Sequence, residues 1–463
     1  MDLARLKQEI LQDPVLAMLS RLAKERDLPL YLVGGYIRDL LLGLRRKDYD
    51  FALPRGDSSL ISSLEEALSL RFFKVGKEEE EKATYRVIKE GLSLDCTFFQ
   101  GETIEEDLER RDFTMNAMAF SFREETFHWA QGALEDIENK IIRSVSNRSI
   151  DEDLLRMLRA ARYSCTLHGF VMASQLKEEI TSKNARILRI PGERIKMELD
   201  QILLSPRPAH GMKVLYETGL LLALFPELKG LENLDQNGYH HLNALSHTLL
   251  VVEKIGWACG WVTSKKRGLP LAEEDRLSVL YSALFHDIGK QDTYSRDGEG
   301  RVHFFRHESF SSQAAETIME RLRFSNSLKN RILRLVQNHM RILNLSGETK
   351  ETALKRLVHQ MGDETPLLVL LSMADKEGSR GVLSIEIDEA VENHCLRLLD
   401  LYQQKEIVHP PPLITGHDVM ALGYAPGRKV GQILNFIREK QIVGEIRSRE
   451  EALKILREQF AVE

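Results

Sequence analysis

Short apolar runs broken by glycine mark the first strands of the chain, and from residue 240 the pattern changes to long helical stretches. The run at residues 30–33 predicts a short buried strand, and Gly34 and Gly35 turn it into a helical pattern over residues 36–42. KDYDFAL, residues 47–53, predicts a second strand and residues 60–70 a helix. KATYRVI and LSLDCTFF then predict a hairpin about a turn at Lys89, Glu90 and Gly91. AMAF, after the acidic stretch EEDLE, predicts another strand.

A helix is expected from near Asp151. At about 100° per residue, Leu154, Met157, Leu158 and Ala161 cover one arc of it, while Asp153, Arg156, Arg159 and Arg162 run around the other as i+3 neighbours. That polar arc is either a solvated face or a base-reading edge, since a carboxylate accepts from an amino group and arginine donates to ring nitrogen or carbonyl. From residue 240 the helical patterns carry HHLNALSHTLL, LFHDIGK, VHFFRHESFSS, VQNHMRIL and LLSMADKEG. The proline-rich VHPPPLITG, residues 408–416, marks a boundary before a small helical module.

With 463 residues the chain is long enough for about three domains at roughly 150 residues each. The net charge of −6 rules against indiscriminate electrostatic binding to nucleic acid, so any RNA surface must be a local basic patch. Cys96, Cys165, Cys259 and Cys395 have no CxxC spacing, which fits reduced thiols rather than a disulfide or zinc framework. The N-terminal MDLARLKQEILQDP lacks an apolar leader core and no run approaches a membrane span, so a cytoplasmic protein is expected.

Candidate chemistry concentrates at residues 31–53. Glycine lets a phosphate approach the backbone, the N–H groups opening the next helix favour an anion, and Arg38 one turn in can add a charge-assisted contact. Asp48 and Asp50 at i and i+2 share a strand face, and paired hard oxygen ligands suit magnesium that completes its shell with phosphates. Asp95 is either a further ligand or base, or a surface strand residue. Arg111, Asp112, Thr114 and Asn116 form a compact polar cluster, read otherwise as caps and internal ion pairs.

GGYIRDLLLG, DYDFAL, EEDLERRDFTMNAMAF and DEDLLRMLRAARYSCTLHGF resemble, in order, the motifs of class II tRNA nucleotidyltransferases and bacterial poly(A) polymerases, in the polymerase β superfamily. The resemblance covers roughly residues 28 to 200. It implies an α+β chain: a polymerase β-like head with a small mixed sheet (residues 1–140), then all-α neck (141–228), HD (229–406) and tail (407–463) domains. It implies Mg2+ at Asp48 and Asp50, and tRNA, CTP and ATP as partners, with no DNA and no membrane. Gly34, Gly35, Arg38, Arg111, Asp112 and Asn116 would serve the nucleotide's phosphates and sugar. Glu152, Asp153 and Arg156 would face the incoming base, with Arg159 and Arg162 in the nucleotide site; IPGERIKMEL, residues 190–199, resembles the neck motif that buttresses that helix.

His247, His286, Asp287 and Asp375 follow the order of the HD phosphohydrolase superfamily, with His307 and His339 as added candidates. The resemblance implies a divalent metal there (Mg, Mn, Ni or Fe) and hydrolysis of phosphate esters; the alternative is a structural or tRNA-holding domain. PGRKVG in the tail either meets tRNA phosphates or is a solvated basic loop. Only residues 100–103 separate LDCTFF from IEEDLERRDF, an interval where many complete CCA-adding relatives have a longer flexible segment associated with switching from C to A. The short interval points toward CC-only or A-only addition, with full CCA or poly(A) addition as the other products of these motifs.

Overall fold

A computed structural model describes residues 2–44, 48–55, 59–75, 83–89, 92–234, 236, 242–265, 267, 270–345, 349–379 and 385–460. Glu90 and Gly91 of the expected hairpin turn, and His240 and His241 at the start of the histidine-bearing region, lie outside the described residues.

Two compact units emerge, one formed by residues 1–190 and 214–223, the other by 191–213 and 224–463. The first opens with helices α1 (Leu3–Gln12) and α2 (Pro14–Glu25), capped by Asp2 and Asp13. Its centre is a seven-stranded mixed sheet in the order β3-β4-β5-β2-β1-β6-β7. The strands are β1 (Tyr31–Val33), β2 (Asp48–Leu53), β3 (Phe73–Val75), β4 (Thr84–Lys89), β5 (Leu92–Phe98), β6 (Met118–Ser121) and β7 (Phe127–Trp129). Helix α3 (Gly35–Leu41) joins β1 to β2, α4 (Ser59–Leu68) leads towards β3, and α5 (Ile104–Glu109) follows β5.

Sheet register sets up the site. β2 and β5 run parallel with Asp50 opposite Asp95, and antiparallel β4 places Arg86 opposite Asp95. Apolar Tyr49, Phe51 and Leu53 alternate inward while Asp48 and Asp50 stay exposed, so period-2 patterning turns both carboxylates to one open face.

The helix expected from Asp151 is broken. Residues Ser149–Glu152 form α7 (after α6, Ala133–Glu138), Asp153 is extended at φ −146° and ψ 107°, and Arg156–Thr166 form α8. The cause is local: the Asp153 carboxylate accepts from the Leu155 N–H at 3.0 Å, a turn that competes with continuing the helix. Met157, Leu158 and Ala161 are buried as expected, but Leu154 is only half-buried because it precedes the helix.

The second unit is mostly helical. VHFF, read in the sequence as part of a helical pattern, is instead a strand: Val302–Phe304 pairs antiparallel with Tyr294–Arg296, and the helix begins at His307. With the parallel pair Ile141–Ile142 and Val171–Met172 in the first unit, it adds short ribbons to regions expected to be all-helical. The proline-rich stretch separates Lys405–Val408 from helices Gly416–Met420, Arg428–Ile442 and Arg449–Phe460, which enclose their own apolar cluster around Val419, Ile433, Ile437 and Leu456. No described helix is long and apolar enough to cross a membrane.

Candidate active site

Gly34 adopts φ +74° and ψ −133°, a conformation that L side chains rarely adopt. A Cβ there would also meet Arg111 Nη1 at 3.1 Å and Asp50 Oδ2 at 3.8 Å, so the glycine admits the arginine beside the carboxylate. Arg111 is oriented by Asp107, whose Oδ2 accepts from its Nη2 at 2.9 Å. Burial, then Asp95 and Asp48, push the Asp50 carboxyl above its usual range, against the opposing pull of Arg111 and Arg159. A cation beside it would oppose that shift.

The structure places Arg38 differently from its expected phosphate contact. Its side chain is 1 % exposed, donates from Nε to Asp39 at 2.8 Å and from Nη1 to Asn116, and lies 5.1 Å from the centre of the Tyr163 ring. Asn116 donates in turn to Asp112 at 2.9 Å, and Asp112 pairs with Arg159 at 2.7 Å. Asp112 also accepts from the Phe113 N–H. Burial would raise its carboxyl, but Arg159, Asn116 and the Phe113 N–H hold it below its ordinary range. These groups form one chain, Asp39–Arg38–Asn116–Asp112–Arg159, buried up to Asp112 and ending on the partly exposed Arg159, from the glycine turn to the arginine helix. Thr114 is turned away from it, donating to Asp136 at 2.7 Å.

Arg156 is also braced. It donates to the carbonyls of Arg110 at 2.6 Å, Arg111 at 3.2 Å and Ser149 at 3.1 Å, and pairs with half-exposed Glu152 at 3.4 Å. The guanidinium thus fixes the backbone that presents Arg111. Arg162 lies over the Tyr163 ring at 4.6 Å. Asp95 stands beside Asp50 as a further carboxylate would, yet both its oxygens are taken by Arg86, at 2.6 and 2.5 Å.

In the second unit the six expected side chains converge, all buried. They fall into two sets whose ligand atoms lie within 4.8 Å of one another: His247, His286 and Asp375, and Asp287, His307 and His339. Asp287 spans the sets, with Oδ2 3.1 Å from His286 Nε2 and Oδ1 3.3 Å from His307 Nε2. The Nδ1 atoms of His286, His307 and His339 face the backbone carbonyls of Ala283, Phe304 and Val336 at 2.7–2.9 Å, and that of His247 faces Gly378 at 3.3 Å. Those bonds assign the proton to Nδ1 and leave Nε2 lone pairs pointing inward. His307 and His339 Nε2 then face each other at 3.1 Å, an approach that a shared proton or a common metal ion would satisfy. His339 is pushed down to about 3 by burial and by His307 and His286. Burial alone would raise Asp287, but His286 and Lys290 hold it well below the carboxylate range. The donor set fits divalent metal.

Three family models match the chain: the Poly A polymerase head domain over residues 30–143, the probable RNA and SrmB-binding site of polymerase A over 169–231, and tRNA nucleotidyltransferase domain 2 over 302–456. The chain is 34% identical over 434 residues to a CC-adding tRNA nucleotidyltransferase of Thermus thermophilus, covering 92% of each protein. The chain belongs to the class II tRNA nucleotidyltransferase family. An A-adding tRNA nucleotidyltransferase of Deinococcus radiodurans is 30% identical over 91% of this chain and 93% of its own length. The Bacillus stearothermophilus CCA-adding enzyme, solved in complex with CTP, shares the fold at TM-score 0.61 and 22% identity, over 97% of this chain and 98% of that one.

Sequence reading of this nucleotidyltransferase missed three groups. Tyr163 is buried among Arg38, Arg159 and Arg162, signalled only by an aromatic ending the arginine series. Arg86 was readable from the hairpin, whose pairing puts it across from Asp95. Lys290, three residues beyond Asp287 in HDIGK, sits 2.7 Å from that carboxylate.

Proposed function

We propose that this protein extends tRNA 3′ ends with C, and with A where its product requires it, from CTP and ATP without a nucleic acid template, in the cytoplasm. The observation that carries the reading is the pair Asp48 and Asp50 on one open strand face, with Arg111 held by Asp107 over Gly34 beside them. Asp48 and Asp50 would hold Mg2+, which when bound lowers the pKa of the RNA 3′-hydroxyl and neutralises charge on the α-phosphate and leaving pyrophosphate. Arg111 binds the triphosphate by charge-assisted hydrogen bonds, and the Asp39-to-Arg159 chain keeps the base-facing helix in register with it. Glu152, Asp153 and Arg156 present the edges that choose C or A, with Arg159 and Arg162 in the nucleotide site, and Arg156 also braces the backbone that carries Arg111.

Among the possible products we favour addition of one kind of nucleotide, and of the two we take CC, as in the 34% identical Thermus thermophilus relative. The interval from β5 to α5 is short and pinned: Gln100 N–H donates to Asp107 at 2.9 Å, Glu102 N–H to Glu106 at 2.8 Å, and Thr103 caps the helix. A segment so tied has little freedom to re-form the site for a different base. Purified protein incubated with tRNA transcripts lacking CCA, CTP and ATP should lengthen them; no extension would end this reading.

The second centre supports a further, hydrolytic activity. His247, His286, Asp287 and Asp375, with His307 and His339, would hold one or two divalent ions, which when bound activate water against a phosphate ester. Protein reconstituted with Mg, Mn, Ni or Fe should bind metal stoichiometrically and hydrolyse 2′,3′-cyclic or terminal phosphates. Full occupancy with no hydrolysis would leave the domain a structural or tRNA-holding part.

A further inference from the structure

We infer that the β4 end of the cavity at Asp50 receives the 3′-terminal nucleotide of the RNA being extended, with Arg86 as the group that holds it. This rests on the tailing reading above and goes beyond it, because it divides the site into a nucleotide half and an acceptor half.

Strand register puts Asp50, Asp95 and Arg86 in one row across the open face, and Phe73 opposite Arg86 continues it. The next row carries Thr97, Thr84 and Val75. Asp50, Asp95, Arg86, Thr97, Thr84 and Val75 line a cavity of about 250 Å³, closed by Val33 and Arg111 at its glycine-turn end; Phe73 stands outside that lining. That is just below the ~300–1,000 Å³ of whole small-molecule pockets, which suits one sugar and phosphate better than a complete triphosphate.

Two arginines flank Asp50, and each is held by its own carboxylate. Arg111, on Asp107, stands over the glycine turn. Arg86, on Asp95, stands on the opposite side, with its side chain 38% exposed. Asp95 engages Nε and Nη2 of Arg86, and among the described residues no acceptor meets Nη1, which is left to donate into the cavity. Asp95 is thereby a positioning residue for Arg86.

Phosphoryl transfer decides which half is which. The attacking and leaving oxygens stand roughly in line across the α-phosphate. With the triphosphate at Gly34 and Arg111, the attacking 3′-hydroxyl must arrive from the Arg86 side. There the Thr84 hydroxyl faces a ribose whose 2′-OH separates RNA from DNA, while the Thr97 hydroxyl donates to the Phe51 carbonyl at 3.3 Å. Phe73, about half exposed, offers a ring face for the terminal base.

The test measures KM for a tRNA transcript lacking CCA and KM for CTP separately, on full-length protein. Arg86→Ala should raise the transcript KM about tenfold and leave the CTP KM within about twofold, the loss of a charge-assisted hydrogen bond to one substrate alone. Arg86→Lys should recover part of the loss, and a transcript with a 2′-deoxy terminus should be extended less well by the parent protein. An unchanged transcript KM, or equal rises in both constants, would overturn the inference. Should Arg86→Ala fail to fold, Val75→Trp narrows the cavity from its wall and should likewise raise the transcript KM while sparing that for CTP; the absence of that split would overturn the inference just as well. A parent protein that extends no RNA would overturn the tailing reading and this inference with it, a result distinct from a variant split that overturns the inference alone.

Discussion

Asp50 shows how a single residue is shaped for its task at some expense to the fold. Burial and the neighbouring carboxylates of Asp95 and Asp48 raise its carboxyl, so ionising it costs the metal-free fold some stability. Replacing it by a neutral isostere should therefore not weaken the fold. Asp50→Asn is expected to keep or slightly raise the melting temperature measured without metal, while nucleotide transfer falls about a thousandfold, as loss of several kcal/mol of transition-state stabilisation requires. A marked drop in melting temperature would mean that Asp50 is a structural anion. The sequence revealed this residue because two aspartates at i and i+2 in an apolar strand have only one face to share. It did not reveal what Arg38 does. One turn into a helix after two glycines, Arg38 looked like a phosphate ligand, but its partners Asn116 and Tyr163 come from distant segments that only the folded sheet and α8 bring together.

At the scale of elements, the junction between head and arginine helix depends on Asp112. Its two oxygens satisfy Asn116, the Phe113 N–H and Arg159, and removing its charge leaves Arg159 short of a partner. Because Arg159 keeps about a third of its side chain exposed, Asp112→Asn should cost about 1–3 kcal/mol rather than the full penalty of a buried orphan charge. Since the folded protein holds the Asp112 carboxyl below its ordinary value of 3.8, its stabilisation is present above that value and is lost as pH falls through the lowered one. Acid unfolding followed below pH ~4 should thus be steeper for the parent than for Asp112→Asn, and parallel curves would contradict the assignment. The break at Asp153 belongs to the same scale. Periodicity alone predicted a continuous helix, since neither hydrophobic spacing nor helix propensity registers a side chain that caps its own backbone turn. Asp153→Ala should blur the choice between CTP and ATP in single-nucleotide incorporation, and unchanged selectivity would remove Asp153 from the base-reading edge.

Across the whole molecule, two clusters of chemistry lie in two compact units, one built on a sheet and one on helices. The helical centre was legible in the sequence by its order of histidines and aspartates. The division of its ligands into two sets spanned by Asp287 was not, because it depends on how five helices approach one another. The two activities should separate. Asp287→Asn is expected to abolish metal-dependent phosphate release while leaving tRNA extension within about twofold, a dissociation expected of sites with no shared ligand. Joint loss of both activities in well-folded protein would tie them together.

The central claim is that a two-carboxylate head with a pinned β5-to-α5 interval adds nucleotides to tRNA and stops at CC. It is tested most directly by offering transcripts that end before CCA, after C and after CC to the purified protein with CTP, ATP or both, and sizing the products on a gel. Extension of the first two transcripts to CC with CTP, and no A added to the third, is the result expected. Addition of A to the CC-ending transcript, or a poly(A) ladder, would contradict it.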